Sequence, residues 1–321
     1  ASPAPDAASN ATATTAAAAV ADQAKVERSE VSIQQLGARE APMVWRTGGQ
    51  IGIPFSVRAD EVITAARLRL NYWISPQLPR QAAQLSITVN GESAGTIALK
   101  DEQPGTNLRR DLTIDPRLIT DFNRITVQLD SASSECIEPG KGEPLLKLGM
   151  TSSLELEALR LPIANDLALL PLPFFDSRDP RRLDLPFVFA ARPTMATLEA
   201  AAVLSSWFGW QAGYRGAIFP TSLNQMPKGN AVVFVTATEA PPGLNLPTPG
   251  APGLAVVPNP ADPQGKLLVV SGRDGRELKA AAAALALGSA RVTGQSAQVS
   301  PPPDGKPREA YDTANWVPSN R

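Results

Sequence analysis

The sequence predicts two domains, an antiparallel β-sandwich followed by an α/β domain. From about residue 31 to residue 161, apolar residues alternate with polar ones, as they do in strands that bury one face. After residue 161, short uninterrupted apolar segments alternate with helical patterns, which is typical of an α/β layer structure. The length of 321 residues agrees with about two domains.

The elements of the sandwich follow from period-two patterns and turn residues. In ARLRLNYWI, Tyr72 lies on the apolar face of a strand and Trp73 lies on the polar face. In QLSITVNGESAGTIAL, Asn90 and Gly91 supply the positive φ angles of a hairpin turn. FNRITVQLD and SSLELEAL continue the alternation, and DPRLITDF, with Pro116 at a first-turn position, predicts a short helix.

The elements of the α/β domain are buried strands and capped helices. LPFVFA, NAVVFVT and KLLVVSG are uninterrupted apolar strands, as expected in a parallel sheet that is covered on both faces. TMATLEAAAVLSSWFGW has helical spacing. DGRELKAAAAALALG predicts a second helix, with Asp274 as N-cap, Glu277 three residues later and Gly288 at its end.

Composition sets the expected domain boundaries. Residues 1–30 are rich in Ala, Thr, Ser and Pro and predict a disordered leader, whose first residue fits a mature N-terminus after signal-peptide removal. We expect the sandwich over residues 31–163, a linker over 164–184 and the α/β domain over 185–300. Residues 301–321 resemble a linker that leads into a further part of the protein.

Composition also excludes several classes of function. The net charge is −1, with acids and bases interspersed, which argues against nucleic acid as a partner. The chain has no histidine and one cysteine, Cys136, so His-dependent catalysis, His-ligated zinc and thiolate metal sites are excluded. We therefore expect no catalytic residue, no metal and no cofactor. A carboxylate-based glycoside hydrolase remains an alternative, and Cys136 suggests either a partner or a free thiol.

The most charged stretch is PLPFFDSRDPRRLDLPFVFA, at the expected junction of the domains. Asp176 and Asp179 are compatible with a catalytic or metal-binding carboxylate pair. Arg178 and Arg182 have the R-x-x-x-R spacing of domains that bind cyclic di-GMP, but the companion D/N-x-S-x-x-G is missing. The interpretation we favour is a solvated turn, with the aspartates as turn formers in local ion pairs.

A second candidate is the glycine-containing segment VVSGRDGRE, which joins a strand to the N-terminus of a helix. Such junctions often bind anions. The segment lacks both G-x-G-x-x-G and a Walker lysine, so we favour a capped turn without a ligand.

Among the aromatic residues, Trp73 is the candidate for carbohydrate binding. Alternation places its ring on the polar face of its strand, where an exposed ring can stack on a sugar. Packing under a loop or against the second domain is the alternative. Trp45 and Trp316 are weaker candidates, and Trp207 and Trp210, spaced i and i+3 in a helix, are expected in the core.

A set of stretches occurs in a fixed order between about residues 40 and 318 and resembles one known family. They are SVRADEVITAARLRLNY, IDPRLITDFNRITVQLD, LPLPFFDSRDPRRLDLPFVFA, AAAVLSSWFGWQAGYRGAIFP, LNQMPKGNAVVF, KLLVVSGRDGRELKAAAAALALG and YDTANWV. Together they are similar to the periplasmic B subunit of bacterial cellulose synthase, the BcsB family. The resemblance implies a jelly-roll-like, carbohydrate-binding-like β-sandwich followed by a flavodoxin-like α/β domain.

The resemblance also implies a role and a location. Proteins of this family repeat the domain pair and end in an amphipathic helix and a membrane anchor, so this chain would be the N-terminal half. The family is periplasmic, attached to the inner membrane and non-catalytic. It supports the membrane subunit that polymerises glucose from UDP-glucose and guides nascent cellulose, and homo-oligomers are possible. The family is also described as a cyclic di-GMP-binding regulatory subunit, which we keep as an alternative.

Overall fold

The computed structural model describes residues 26–132, 142–244, 246–288 and 292–301. Within these ranges the protein is mostly β-sheet with few helices. The first half forms two antiparallel sheets and the second half forms a mixed sheet with two helices, as the sequence patterns predict.

The described residues of the first half form ten strands. They are β1 (Val26–Ser32), β2 (Met43–Val44), β3 (Gln50–Ser56), β4 (Glu61–Ile74), β5 (Gln84–Val89), β6 (Glu92–Ala98), β7 (Asn107–Ile114), β8 (Phe122–Asp130), β9 (Leu146–Leu148) and β10 (Ser153–Arg160). One sheet has the order β1-β10-β4-β9-β2, with β7 paired along β4, and the other has the order β3-β8-β5-β6.

The core of the sandwich lies between these sheets. Alternate residues of the long strand β4 point inward, and Leu70, Tyr72 and Ile74 are almost fully buried. Ile87 of β5 and Val127 of β8 face them from the second sheet. Each large aliphatic side chain buried in this way contributes about 1.5–3 kcal/mol, so the period-two pattern is sufficient to fix which face of β4 is internal.

The hairpin between β5 and β6 has the predicted turn. Asn90 and Gly91 have φ angles of 54° and 89°, and Val89 pairs with Glu92 across the turn. Two consecutive positive φ angles are the geometry that matches the right-handed twist of the strands. The segment around Pro116 forms a short 3₁₀ turn, Pro116–Leu118, capped by the side chain of Asp115.

One expected boundary is wrong. The predicted leader, residues 1–30, overlaps β1, which begins at Val26 and pairs with β10 from Val26 to Ser32. The apolar pattern of Val26–Ser32 is weak because Val31 is the one buried residue of this edge strand. The pairing with β10 orders it all the same.

In the second half, the residues that the structure describes form eight strands and two helices. They are β11 (Leu183–Asp184), β12 (Phe187–Phe189), α1 (Met195–Ala212), β13 (Ala217–Ile218), β14 (Thr221–Leu223), β15 (Ala231–Thr236), β16 (Gly253–Asn259), β17 (Asp262–Gly272), α2 (Gly275–Ala286) and β18 (Ser296–Gln298). The large sheet has the order β14-β12-β15-β17-β16-β18, and β11 and β13 form a separate parallel pair.

Both helices cover the same face of this sheet. The sheet is parallel from β14 to β17, whereas β16 is antiparallel to β17 and β18. Phe234 of β15 and Val270 of β17 share a core with Leu204 of α1 and Leu278 of α2. The opposite face, with Val233 as an example, packs against Leu244 and Leu246 of a connecting segment. Both faces are therefore covered, as expected, although helices cover only one of them.

Within the described ranges, no helix combines the length and the apolar character that crossing a bilayer requires.

Candidate functional site

Trp73 lies on the outer face of the larger sandwich sheet, as the alternation predicts. Its neighbours in the sheet are Asn107 of β7 and Lys147 of β9. The adjacent residues, Tyr72 and Ile74, point into the core. The ring is half-buried, because the strands on either side shield its edges.

A groove runs along the outer face beside this ring. It has a volume of about 570 Å³ and is referred to here as the sheet groove. The polar and aromatic side chains that line it come from three neighbouring strands and the turn after β9. They are Asn71, Trp73, Asn107, Arg109, Lys147 and Thr151. An aromatic face beside amide, hydroxyl and cationic donors can bind a ligand that has both apolar faces and hydroxyl groups.

The ring of Trp73 already has one cationic neighbour. Nζ of Lys147 lies 4.6 Å from the ring centroid, within the range of a cation–π contact. At a half-exposed site such a contact contributes about 0.5–1 kcal/mol. A ligand that stacks on the ring can therefore displace Lys147 at low cost.

The wall of the sheet groove is held by hydrogen bonds to the turn after β9. Nδ2 of Asn71 donates to the carbonyl oxygen of Thr151 at 2.9 Å and to its hydroxyl at 3.0 Å. Oγ of Ser152 accepts from the amide of Asn71 and donates to its carbonyl, both at 3.0 Å. A Cβ atom at Gly149 would lie 3.2 Å from the carbonyl oxygen of Asn71, so this close approach favours glycine.

The other tryptophans differ in their surroundings. Trp45 is half-buried. Trp207 packs on the core of the second half, 4.6 Å between ring centroids from Phe208, in line with the prediction. The prediction for Trp210 is wrong, because its side chain is 83% exposed. Trp316, like Cys136, lies outside the described residues.

The charged segment at the junction is not a solvated turn. Asp176 is only 5% exposed, and Phe174 and Phe175 are buried in the core of the second half. The turn-forming role is confirmed, since Oδ1 of Asp176 accepts from the amide of Arg178 at 2.8 Å. However, its Oδ2 accepts from the amide of Ala59, in the sandwich, at 2.7 Å. Both carboxylate oxygens therefore have structural partners.

Asp179 belongs to an ionic network that joins the two halves. Nη1 of Arg58, in the sandwich, donates to Oδ2 of Asp179 at 3.2 Å, and Arg181 donates to both Asp179 and Glu61. Arg58 is 9% exposed and also contacts Asp60 at 2.7 Å. Charges this deeply buried require close partners. We call this set, Arg58, Asp60, Glu61, Asp179 and Arg181, the boundary network.

The electrostatics of the boundary network favour ionised Asp179. Burial by itself raises the pKa of Asp179, but the hydrogen bonds and charge of Arg181, with the charge of Arg58, outweigh it. The pKa of Asp179 is therefore lowered. An ionised carboxylate held between two guanidinium groups is a poor general acid and has a clear structural role.

Arg178 and Arg182 do not form a shared anion site. Nη1 of Arg178 pairs with the carboxylate of Asp121 at 2.8 Å, and its Nε lies 3.7 Å from Asp176. The side chain of Arg182 is exposed. Of the two arginines in the R-x-x-x-R pattern, Arg178 is therefore already bound within the protein.

The glycine-containing junction before α2 is a capped turn, as predicted. Oδ1 of Asp274 accepts from the amides of Arg276 and Glu277, at 2.9 and 3.0 Å, and Glu277 accepts from the amide of Arg273 at 2.8 Å. A Cβ atom at Gly275 would lie 2.7 Å from Cβ of Ala196 in α1. Close packing of the two helices therefore explains this glycine.

Among the described residues, the acidic side chains form no group that could hold a metal ion.

Two family models match the chain. The model described as "Cellulose synthase BcsB, first CBM domain" matches residues 26–159, and the model described as "Cellulose synthase BcsB, first FD domain" matches residues 166–299. These matches cover most of the described residues.

Curated relatives are similar to this chain over most of its length. A "Cyclic di-GMP-binding protein" of Pseudomonas fluorescens is 42% identical over 295 residues, which are 91% of this chain and 39% of that protein. Proteins of the same name from Xanthomonas axonopodis pv. citri and Komagataeibacter xylinus are 45% and 33% identical, over 85% and 90% of this chain. The chain spans 35–39% of the length of these relatives.

Proposed function

Because the chain belongs to the cellulose synthase BcsB family, we propose that it is part of a non-catalytic, periplasmic subunit of the bacterial cellulose synthase complex. The subunit supports the membrane-embedded catalytic subunit and guides the nascent β-1,4-glucan across the periplasm. The chain spans 39% of the relative from Pseudomonas fluorescens, so these activities are proposed for a longer protein.

The sheet groove is the observation on which the glucan contact depends. A β-1,4-glucan presents C–H groups on the flat faces of each sugar ring and hydroxyl groups around the edges. Trp73 offers an apolar aromatic surface, while Asn107 and Arg109 offer donors beside it. The combination favours a polyhydroxylated chain over a purely apolar ligand.

The contacts of the charged segment support a role without catalysis. A glycoside hydrolase needs one carboxylic acid with a raised pKa and a second carboxylate that faces the substrate. Asp176 has both oxygens bound to backbone amides, and the pKa of Asp179 is lowered. Neither residue has the properties of the catalytic acid.

The proposed fold of the second half is flavodoxin-like. The four parallel strands of the large sheet are β12, β14, β15 and β17. Numbered in chain order, they lie in the order 2-1-3-4 across the sheet, which agrees with a flavodoxin-like arrangement. The antiparallel β16 and the helix-free second face are departures from that arrangement. We retain 31–163 and 185–300 as the proposed domain ranges, with β1 added to the first, and a jelly-roll-like, carbohydrate-binding-like topology for the sandwich.

The partners are the catalytic membrane subunit and nascent cellulose, with a homo-oligomer as a further possibility and attachment to the inner membrane through a C-terminal anchor. No observation favours cyclic di-GMP as a ligand of this chain, although the relatives bear that name. The arginine spacing that suggested it includes Arg178, which pairs with Asp121.

Isothermal titration calorimetry with cellohexaose tests the glucan contact. The 321-residue chain is expected to bind, and Trp73→Ala is expected to weaken binding by about ten-fold, which corresponds to about 1.4 kcal/mol. Trp45→Ala is the matched control, because Trp45 belongs to the same domain and does not line the sheet groove. Equal affinity of Trp73→Ala and the unmodified chain would contradict the proposal.

A further inference from the structure

Two exposed aromatic side chains line one groove at the boundary between the two halves. Phe122 is the first residue of β8 in the sandwich, and Tyr214 lies in the 3₁₀ turn Gly213–Arg215 that follows α1. They are 71% and 82% exposed, and both line the same groove. We call it the boundary groove. Large exposed aromatic rings that cluster in this way indicate a binding surface.

The floor of the boundary groove is the segment of residues 177–180. The sandwich holds this segment from one side, because Oγ of Ser56 donates to the carbonyl of Arg178, and Asp121 pairs with the Arg178 side chain at 2.8 Å. The second half holds it from the other side, because Nη1 of Arg215 donates to the carbonyl of Ser177 at 3.1 Å and to that of Asp179.

These contacts fix the backbone that carries one ring relative to the backbone that carries the other. Asp121, next to Phe122, holds the same segment as Arg215, next to Tyr214. The guanidinium of Arg215 also lies 5.0 Å from the ring centroid of Phe175, which is buried. A ligand therefore meets two aromatic residues whose backbone positions are already set, and only their side chains remain to be ordered.

The chemistry of the groove distinguishes between classes of ligand. Asp and Ser are depleted at the centre of protein–protein interfaces. Here Asp179 and the exposed Ser177 line the groove together with the two rings. The hydroxyl group of Ser177 is a partner for the hydroxyl groups at the edge of a sugar, while the rings match its C–H faces. The mixture favours a polysaccharide over a protein.

The size of the groove favours an extended chain. Its volume is about 230 Å³. Pockets that enclose a small molecule have volumes of roughly 300–1,000 Å³. An open groove below this size contacts only part of its ligand, as expected for a polymer that continues beyond the site at both ends.

We infer that the boundary groove is a second glucan-contact site, in which Phe122 and Tyr214 stack on a β-1,4-glucan. The inference rests on the proposed function, since it assigns a second contact for the same ligand. Such a site gives the chain two points of contact with one polymer, and linked contacts raise the overall affinity above that of either.

The sequence contains one signal for this site. In FNRITVQLD, Ile125, Val127 and Leu129 point into the core, so Phe122 is out of phase with them and Asn123 is in phase. An aromatic residue out of phase with the apolar face of its strand lies outside the core, as it does for Trp73. Tyr214 follows the helix in a turn, where alternation gives no information.

Calorimetric titration with cellohexaose also tests this inference, using Phe122→Ala, Tyr214→Ala and the double variant of the 321-residue chain. Each single variant is expected to weaken binding roughly five-fold, within the range of one aromatic contact. Trp210→Ala is the matched control, because Trp210 is similarly exposed but does not line the groove. Because both rings are exposed, the thermal unfolding midpoint of the variants is expected to stay unchanged.

A spin-labelled cellotetraose locates the contact. It is expected to broaden the amide signals of Phe122 and Ser177 in the unmodified chain and not in the double variant. Unchanged affinity of the double variant overturns the inference, and if Trp73→Ala still weakens binding, the proposed function stands. Absence of binding to the unmodified chain would contradict the proposed function itself. If the double variant keeps its affinity but the full-length protein no longer co-purifies with the membrane subunit, the groove is a protein contact and the inference is wrong.

Discussion

Arg58 and Asp179 form a buried ion pair across the boundary between the β-sandwich and the second half of the chain. Nη1 of Arg58 lies 3.2 Å from Oδ2 of Asp179, although the two residues are 121 positions apart. The Arg58 side chain is 9% exposed and that of Asp179 is 16% exposed. The pair and its neighbours bind the two halves to each other.

Removal of Arg58 is expected to destabilise the protein strongly. Arg58→Met leaves Asp60 without its main partner and Asp179 with Arg181 alone, and breaking a buried ion pair costs about 3–5 kcal/mol. The free energy of unfolding from urea titration measures this loss. Arg28→Met is the control, because its pair with Glu157 is exposed and contributes less than about 1 kcal/mol. Equal stability of the two variants would contradict a structural role for the network.

The pH dependence of stability is expected to depend on Asp179. Its pKa is lowered in the folded protein, so the ionised form is favoured by folding. Its contribution is therefore fully present above the unfolded pKa of about 3.9 and is lost as the pH falls through the lower folded value.

Asp179→Asn tests this directly. The variant is expected to be less stable than the unmodified chain near neutral pH, and the difference is expected to shrink below about pH 4. Urea unfolding at a series of pH values measures it, with the exposed Asp101→Asn as control. A stability difference that stays constant down to low pH would show that Asp179 acts by packing alone.

Substitution of Gly275 tests the interpretation that close packing of α1 and α2 requires a glycine at the start of α2. Gly275→Ala gains helix propensity of about 1 kcal/mol. Its Cβ atom would lie 2.7 Å from Cβ of Ala196 and 3.1 Å from the amide nitrogen of Thr197, and overpacking costs about 1–3 kcal/mol. We therefore expect net destabilisation in chemical unfolding.

Gly209→Ala is the matched control for this substitution. Gly209 lies inside α1, and a Cβ atom there would have no neighbour within 4 Å. Only the propensity gain applies, so this variant is expected to be more stable by roughly 0.5–1 kcal/mol. Stabilisation by both substitutions would show that α1 and α2 do not require a glycine at their contact.

Much of the fold could be predicted because its signals are local. The alternation in β4 identifies the inward side of Tyr72 and the outward side of Trp73, and Asn90 with Gly91 marks a hairpin within four residues. Asp274 and Glu277 likewise define the start of α2 within a single turn.

The boundary network could not be predicted, because its partners are distant in sequence. No residue near Asp179 in the sequence indicates that Arg58 will face it. The sequence pattern therefore predicts that this charged, proline-containing segment is exposed to solvent. The prediction that Trp210 lies in the core is wrong for a related reason. Helix α1 is apolar on nearly all sides, so its sequence does not show which face packs on the sheet.

Cyclic di-GMP is expected not to bind the 321-residue chain. Arg178 is already paired with Asp121, and freeing it would break that ion pair. Calorimetry at about 100 µM nucleotide is expected to give no binding heat. This concentration detects weak ligands, whose dissociation constants lie roughly between micromolar and millimolar. Binding that Arg182→Ala abolishes would contradict this prediction and would favour the regulatory alternative.

The most direct test of the glucan contact is the indole N–H signal of Trp73 in a nuclear magnetic resonance titration. Trp73→Phe identifies the signal among the five tryptophans of the chain. On addition of cellohexaose, the Trp73 signal is expected to shift to saturation while that of Trp45 stays in place, and the α-linked maltohexaose is expected to leave both unchanged. A Trp73 signal that does not move while cellohexaose binds, or that moves equally with both sugars, would contradict a specific β-1,4-glucan contact at the sheet groove.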